Sequence, residues 1–164
     1  MVATPGQTTL DDVDTRVQEV ATVEDLAAVF TLEHRVFKAT VPAADAVESA
    51  LVRMRQERSR RFVVRDEADN ALAAGGLTIM KRRWAMVWGG ATHPAHRHQG
   101  LYRAVVTRRL HEAWQAGARF VATNANPETS APELERMGFR IIEPFTILRP
   151  PETAQTSQSP WAVT

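Results

Sequence analysis

The sequence predicts a single α/β domain of the α+β kind, and three observations carry this prediction. Segments with strand alternation and segments with helical periodicity follow one another in the order β-α-α-β-β-β-α-β-α-β. The three strands in the middle are joined by short turns, which is typical of antiparallel pairing. Residues 88–103 then have the pattern of a strand end, a glycine-containing turn and the start of a helix.

Composition limits the class of protein. The 164 residues are 44% hydrophobic and 24% charged, which is enough apolar chain for one soluble core. The net charge of +1 gives no global field that would favour nucleic acid or an anionic membrane as partners. The absence of cysteine excludes disulfides, a cysteine nucleophile and thiolate metal ligands. There is no signal pattern and no apolar run of about 18–20 residues, so we expect a cytoplasmic protein.

Capping and periodicity justify the elements of the first part of the chain. A first strand is predicted over residues 13–20, where valines alternate with charged residues. Thr22 is followed by two acids and predicts the start of a helix that ends before Pro42, because a hydroxyl caps free amides and acids suit a first turn. A second amphipathic helix is predicted over residues 43–58.

Three strands are predicted next, over residues 61–66, 72–80 and 84–91. In the third strand, the two tryptophans and the methionine between them share one face at period two. The glycine pair at 89–90 indicates a β-bulge, or a backbone that another group approaches closely.

The last predicted elements begin with a helix from Gly100 to Gly117. Its apolar stripe contains Tyr102, Val106, Leu110 and Trp114. Its solvent-facing stripe is predicted to contain Arg103, Thr107, His111 and Gln115. Residues 119–124 are predicted as a strand and 139–148 as the final strand. Between them, Ser130 and Glu133 have the pattern of a capping box for a short helix that ends at Gly138.

The chain ends are expected to lie outside the folded unit. Residues 1–11 carry turn and polar residues without periodicity and are predicted to be a flexible N-terminus. Residues 12–149 are predicted to form the single domain. Residues 150–164 are polar and rich in proline, which favours a mobile tail.

The stretch at 88–103 indicates an anion-binding site. The first amides of a helix have no intrahelical partner and carry partial positive charge. Basic side chains line this turn: His93, His96, Arg97, His98 and Arg103. A strand, a turn and a helix in this order are common in α/β domains, however, and a solvated basic loop is the alternative interpretation.

Two motifs resemble the GNAT superfamily, the acyl-CoA-dependent N-acetyltransferases. Arg97-His98-Gln99-Gly100-Leu101-Tyr102 resembles the family's Arg/Gln-x-x-Gly-x-Gly/Ala signature, and residues 134–139 resemble its Leu-x-x-x-Gly-Phe ending. The resemblance implies the GNAT fold, a mixed, mostly antiparallel sheet of six to seven strands with splayed central strands, flanked by about four helices. The signature ends in Gly or Ala, where this chain has Tyr102, so a pyrophosphate site requires that this side chain point away from the phosphates.

The resemblance implies acetyl-CoA as co-substrate. Backbone groups at the end of the strand before the turn would pair with the pantetheine arm, and amides at the helix start would hold the pyrophosphate. The implied cofactor-binding residues are Ala91, Thr92, His93, Arg97, His98, Gln99, Gly100, Leu101, Tyr102 and Arg103.

Acetyl transfer to an amine needs a base for the ammonium, an acid for the leaving thiolate and close positioning of both reactants. Many family members have a tyrosine where this chain has Leu134, so Ser130 is the candidate near the thiol, with a plain N-cap as the alternative. Glu33 on the first helix is the candidate base, and His34 and His93 remain open. Asn124 could orient a water or the acceptor, and a water chain would serve equally well as the base. The predicted catalytic residues are Glu33, Asn124 and Ser130.

The expected function is transfer of the acetyl group of acetyl-CoA to a primary amine of a small molecule or peptide, directly within a ternary complex. The alternative is a non-catalytic GNAT-like module that binds an acyl-CoA or a protein, which the missing tyrosine and Tyr102 favour. Nucleic-acid and membrane partners are not expected, and a homodimer is left open. The histidines at 93–98 have no nearby carboxylate, so no metal site is predicted.

Overall fold

A computed structural model describes residues 1–8, 12–81 and 83–142. Over these residues the chain forms six strands, four α-helices and one short 3-10 helix. In chain order they are β1 (Val2–Ala3), β2 (Gln18–Glu19), α1 (Val23–Phe37), α2 (Ala44–Gln56), β3 (Ser59–Arg65), β4 (Ala71–Ile79), β5 (Trp84–Thr92), the 3-10 helix (Pro94–His96), α3 (Leu101–Gln115), β6 (Phe120–Ala122) and α4 (Ala131–Arg136).

The six strands form one open sheet in the order β1-β6-β5-β4-β3-β2. Every neighbouring pair is antiparallel except β5 and β6, which run parallel because the connection between them passes through α3. The predicted mixed, mostly antiparallel sheet with about four helices is therefore confirmed.

The helices cover the sheet from both sides, and each side has its own apolar cluster. Leu26 and Val29 of α1 pack with Val47 and Leu51 of α2 on one face. On the other face, α3 and α4 pack against the sheet through a larger cluster. Its helical members are Leu101, Val105, Val106, Leu110, Ala113 and Leu134. Burial of each large aliphatic side chain contributes about 1.5–3 kcal/mol, so these two clusters fix the helices on the sheet.

Local sequence explains where α1 begins but not where α4 begins. The Thr22 hydroxyl accepts the Asp25 amide at 3.1 Å, and the Asp25 carboxylate accepts the Thr22 amide at 3.0 Å, so α1 starts with a capping box. The capping box predicted at Ser130 is wrong. Ser130 has a helical backbone (φ −88°, ψ −28°), which is not the extended conformation of a capping residue, and its side chain makes no cap bond.

Two predictions near the N-terminus are corrected. Residues 1–11 were expected to be flexible, but Val2 and Ala3 form β1 and pair with β6, and Ala3 is buried. Residues 9–11 lie outside the described residues. The strand predicted over 13–20 is reduced to Gln18–Glu19, although Val17 and Val20 are buried.

The predicted end of the chain is described only in part. Arg140 makes a single antiparallel bridge to Val2, where the final strand was expected to begin. The rest of that predicted strand, from residue 143, and the predicted tail at 150–164 lie outside the described residues.

Candidate active site

The site begins where β5 and β6 separate. The two strands pair only at Trp84–Phe120, Ala85–Val121 and Met86–Ala122, and beyond Met86 they diverge. A cleft of about 60 Å³ opens at this divergence. It is lined by Val87, Trp88, Gly89, Gly90, Tyr102, Arg109, Thr123, Asn124 and Ser130.

A β-bulge at Gly89–Gly90 shapes one wall of the cleft. Ala74 of β4 pairs with Ala91, and Gly76 pairs with Trp88, so β5 has two residues between these pairs where β4 has one. Gly89, one of the two, has a positive φ of 59°. Glycine is required for close approach as well, because a Cβ on Gly90 would lie 2.9 Å from the Tyr102 ring. The bulge and the close approach predicted for this pair are both confirmed.

The bulge also exchanges the faces of β5. Val87, before the bulge, belongs to the apolar cluster under α3, whereas Ala91, after it, belongs to the cluster under α1. An uninterrupted strand would place these two residues on the same face, because they are four apart. Gly89 meets Glu33 on the α1 side, and Gly90 meets Tyr102 on the α3 side. The bulge is therefore the point where groups from both faces of the sheet come closest.

The N-terminus of α3 lies beside the cleft. Gly100 caps the helix in the left-handed conformation (φ 74°), and the first helical bond runs from the Ala104 amide to the Gly100 carbonyl. The amides of Leu101 and Tyr102 precede that bond, so they have no acceptor within the helix. Open space surrounds Gly100, and together with the exposed residues before it the loop has the geometry of an anion site.

The predicted cofactor-binding residues lie along this path. Ala91 and Thr92 end β5 beyond the last pairing with β6. The His93 amide donates to Leu72 of β4 at 2.8 Å, so the Thr92 amide, one residue earlier, faces away from β4 and towards the gap. Arg97, His98 and Gln99 are exposed in the loop before Gly100.

The side chains of three of these residues are engaged elsewhere in the fold. Leu101 is buried in the core, so only its backbone can face a ligand. Arg103 forms an ion pair with Glu133 of α4 at 3.4 Å. The Tyr102 ring turns towards Gly90 and lines the cleft.

The predicted catalytic residues fall into two groups. Asn124 and Ser130 line the same cleft, and the Ser130 hydroxyl accepts the Asn126 amide at 3.0 Å. Glu33 lies on the opposite face of the sheet, where Arg61 donates to its carboxylate at 2.7 Å. Burial raises the pKa of Glu33, and Arg61 acts against that increase.

The sequence did not reveal the role of Arg109. Its side chain is 2% exposed and donates to the carbonyl oxygens of Val105 and Trp88, both at 3.1 Å, and of Gly76 at 3.3 Å. Burial lowers the pKa of Arg109 to about 10, and Tyr102 acts in the opposite direction. Helical spacing could have predicted its burial, because Arg109 lies seven residues, or about two turns, after Tyr102 and therefore on the same buried face of α3. Thr107, predicted to face solvent, is also buried.

His93 has a structural contact on the α1 side. Its ring contacts the Arg35 guanidinium through Nε2, and its Nδ1 accepts the Ala95 amide at 3.2 Å. Desolvation lowers the pKa of His93, and Arg35 and His96 act in the same direction. Over the described part of the chain, no three acidic or histidine side chains converge as a metal site.

These features define the class of protein: an open sheet with a central bulge, a splayed parallel pair and a glycine-capped helix N-terminus at the splay. The acetyltransferase (GNAT) family matches residues 25–139, which is more than half of the chain. The chain therefore belongs to the GNAT acetyltransferase family, and the resemblance seen in the two motifs is confirmed.

Solved structures agree on the fold. An acetyltransferase from Trypanosoma brucei is 17% identical and superposes with a TM-score of 0.72 over 81% of this chain and 99% of its own. Glucosamine-6-phosphate N-acetyltransferase from Arabidopsis thaliana is 13% identical, with a TM-score of 0.71 over 81% and 97% of the two chains. AAC(6')-Iy, solved with the bisubstrate analogue CoA-S-monomethyl-acetylneamine, is 15% identical, with a TM-score of 0.65 over 82% and 97%.

At these identities the structures establish the fold alone. No curated protein sequence matches the chain. Among the described residues, no helix has the length and apolar character that crossing a membrane requires.

Proposed function

We propose that this protein transfers the acetyl group of acetyl-CoA directly to a primary amine of a small molecule or peptide within a ternary complex. The observation that carries the proposal is the divergence of β5 and β6 directly beside the N-terminus of α3. A strand edge that faces a gap can pair with the amide groups of a pantetheine arm, and free helix amides suit a pyrophosphate.

The binding roles follow from position. The Thr92 backbone faces the gap and pairs with the arm, and the amides of Leu101 and Tyr102 hold the pyrophosphate, with Arg97 adding positive charge from the exposed loop. Direct transfer suits this arrangement because it requires mainly that two reactants be held together, which can lower the barrier by several kcal/mol.

Glu33 is the base in this proposal. Its carboxylate lies at Gly89 on the α1 face, so an amine that enters from that face meets it at the bulge. The raised pKa makes the carboxylate a better proton acceptor from an ammonium group than an exposed glutamate would be. Asn124, which lines the cleft, orients the acetyl group or a water there.

Binding of acetyl-CoA is the first test, by calorimetry and by thermal unfolding with and without ligand. A ligand at a hundredfold over its dissociation constant adds about 2.7 kcal/mol to the stability of the folded state. Arg97→Ala should weaken binding about tenfold. Arg119→Ala is the matched control, because it removes the same charge from an exposed residue at the other end of β5 and should leave affinity unchanged.

Transfer is tested by following thiol release from acetyl-CoA across a panel of primary amines that includes amino sugars, polyamines and peptides with free N-termini. Steady release with at least one amine, with the acetylated product identified by mass, supports the proposal. Binding of acetyl-CoA without release across the panel would favour the non-catalytic acyl-CoA-binding module, which is the second candidate. Absence of binding would contradict both.

A further inference from the structure

We propose that Tyr102 of α3 is the catalytic acid that protonates the leaving thiolate, and that Arg109 and Ser130 position it and stabilise its ionised form. This assignment rests on the proposed acetyl transfer and names the residue that completes the chemistry at the same cleft. It gives a role to Tyr102 in the signature and to the buried Arg109, and it explains how the site could work with leucine at position 134 in place of the usual family tyrosine.

The position of Tyr102 is the first argument. Its ring crosses from α3 to the bulge and contacts the backbone at Gly90, so its hydroxyl is presented in the cleft that Asn124 and Ser130 also line. The cleft lies at the divergence of β5 and β6, where the proposed function places the thioester. Tyr102 is the only tyrosine of the chain, and Leu134, at the position of the usual family tyrosine, is buried in the core.

Arg109 supplies the second argument, because among the described residues no opposite charge lies beside its own. Its guanidinium lies in the interior, its hydrogen bonds go to backbone carbonyls, and no carboxylate of the described residues pairs with it. Such a buried cation is costly unless negative charge develops near it. Tyr102 is the group that interacts with it electrostatically. A tyrosinate formed during turnover would be that negative charge.

Ser130 supplies the third argument. Its hydroxyl oxygen is occupied as the acceptor of the Asn126 amide, so its proton is available for a hydrogen bond to the Tyr102 oxygen. Burial raises the pKa of Tyr102, while Arg109 and the Ser130 hydrogen bond act against the increase and Glu133 adds to it. The phenol is therefore protonated at neutral pH, and both neighbours favour its anion.

The step balances without any further reactant. The amine nitrogen forms a bond to the thioester carbon, and the carbon–sulfur bond breaks with its electron pair on sulfur. Sulfur takes the phenolic proton of Tyr102 and leaves as a thiol. Glu33 takes one proton from the ammonium before attack and later releases it to solvent, and the nitrogen loses its second proton to solvent as the amide forms. The tyrosinate, held by Arg109, regains a proton from solvent after the thiol departs, so the net release is one proton per turnover.

The single tyrosine allows a test that is independent of activity. Tyrosinate absorbance in the near ultraviolet reports Tyr102 alone, so its pKa can be measured in the wild type, in Arg109→Met and in Arg119→Met, an exposed control. We expect Arg109→Met to raise the pKa of Tyr102 and Arg119→Met to leave it unchanged. Saturation with CoA should shift this titration, whereas adenosine 3′,5′-bisphosphate, which lacks the thiol-bearing arm, should not.

The kinetic test uses Tyr102→Phe with the amine that the wild type accepts. We expect kcat to fall at least about a hundredfold while the dissociation constant of acetyl-CoA stays within threefold. In Arg109→Met, the alkaline limb of the kcat profile should move to higher pH together with the Tyr102 titration. A positioning role for Arg109 predicts this joint movement, and a merely structural role does not.

Three results would overturn the assignment. They are a kcat of Tyr102→Phe within twofold of the wild type, an alkaline limb that does not follow the Tyr102 titration, and tighter CoA binding by Tyr102→Phe or Tyr102→Ala, which would mean that the ring obstructs the arm. A wild type that binds acetyl-CoA and acetylates no amine would instead overturn the proposed function, and this assignment with it.

Discussion

At the bulge, each face of the sheet buries an arginine, but among the described residues only the arginine on the α1 face pairs with a carboxylate. On the α1 face, Arg61 pairs with Glu33 at 2.7 Å and its guanidinium lies over the Trp88 ring, 4.6 Å from the centroid. On the α3 face, Arg109 donates to three carbonyl oxygens and lies near Tyr102.

The Arg61–Glu33 pair on the α1 face is a compensated ion pair, whereas Arg109 on the α3 face is a cation beside the neutral Tyr102. The charges of Arg61 and Glu33 compensate each other, so the α1 face carries little net field into the site while it keeps a carboxylate at the entrance for an amine. No carboxylate of the described residues compensates the charge of Arg109, so this charge acts on a group that becomes negative in the cleft. In the proposed reaction, Arg61 lies beside the Glu33 carboxylate that takes a proton, and Arg109 lies beside the tyrosinate that forms at Tyr102.

The largest effect expected from this comparison is on the α1 face. Glu33→Leu leaves the Arg61 charge buried without its partner, since the two side chains are only 12% and 9% exposed, so we expect unfolding free energy to fall by about 3 kcal/mol. Denaturant unfolding measures it. The double variant Glu33→Leu/Arg61→Met removes both charges and should recover most of the loss. Two additive losses would show that the pair is not coupled.

Two adjacent glycines of β4 separate the faces directly. A Cβ on Gly75 would lie 2.6 Å from the Arg109 guanidinium carbon, and a Cβ on Gly76 would lie 2.4 Å from the Trp88 ring. Gly75→Ala and Gly76→Ala should each cost about 1–3 kcal/mol, because the Arg109 guanidinium and the Trp88 ring must shift from their present contacts.

The two glycine variants should differ in their effect on the titration of Tyr102. Gly75→Ala displaces the charge that acts on Tyr102, so the tyrosine titration should shift, whereas Gly76→Ala disturbs the Arg61 side and should leave that titration close to the wild type. Equal shifts in both variants would contradict the separation of the two faces.

The sequence predicted the parts of this site that depend on local pattern. The Thr22 cap, the glycine pair of the bulge and the helix that starts after Gly100 follow from spacing and from backbone requirements within a few residues. Two differences could not be predicted: residues 13–17 are not part of β2, and β1 forms at Val2–Ala3. Both depend on the strand with which the segment pairs, which is β3 for β2 and β6 for β1.

Arg109 and the Glu33–Arg61 pair show the other limit of sequence reasoning. Periodicity places Arg109 on the buried face of α3, yet an arginine at such a position is ordinarily assigned to solvent. Its burial depends on the space left by Gly75, which lies 34 residues earlier in the chain, and on two carbonyls of neighbouring strands. Contacts of this kind are set by the packing of the whole sheet.

A smaller effect on stability is expected from Arg109 itself. Arg109→Met removes a buried cation without leaving an opposite charge unpaired, and methionine fills a similar volume. The lost hydrogen bonds to three carbonyls act against the relief of desolvation, so we expect stability to change by no more than about 1 kcal/mol in either direction. A loss comparable to that of Glu33→Leu would show that Arg109 holds α3 on the sheet, which would weaken its assignment to the chemistry.

The smallest expected effect is the pH dependence that Glu33 imposes on stability. Burial raises the pKa of Glu33 above its ordinary value of 4.5, with Arg61 acting against it, so between the two values the folded chain holds a proton that the unfolded chain releases. The stabilisation is complete below the ordinary value and is lost as pH rises through the folded pKa. The stability of the wild type relative to Glu33→Gln should therefore decline with rising pH across that window.

Glu112 on α3 provides a control of opposite sign. Burial acts to raise its pKa, but contacts with Arg60 and Arg108 outweigh burial and lower it, so its contribution is present above the ordinary value and is lost as pH falls. The stability of the wild type relative to Glu112→Gln should then rise with pH over the acidic range. Denaturant unfolding of the three proteins at matched pH values measures both slopes. Slopes of the same sign would mean that the Arg61 charge dominates Glu33, and that the carboxylate proposed as the base is an ordinary ion-pair partner.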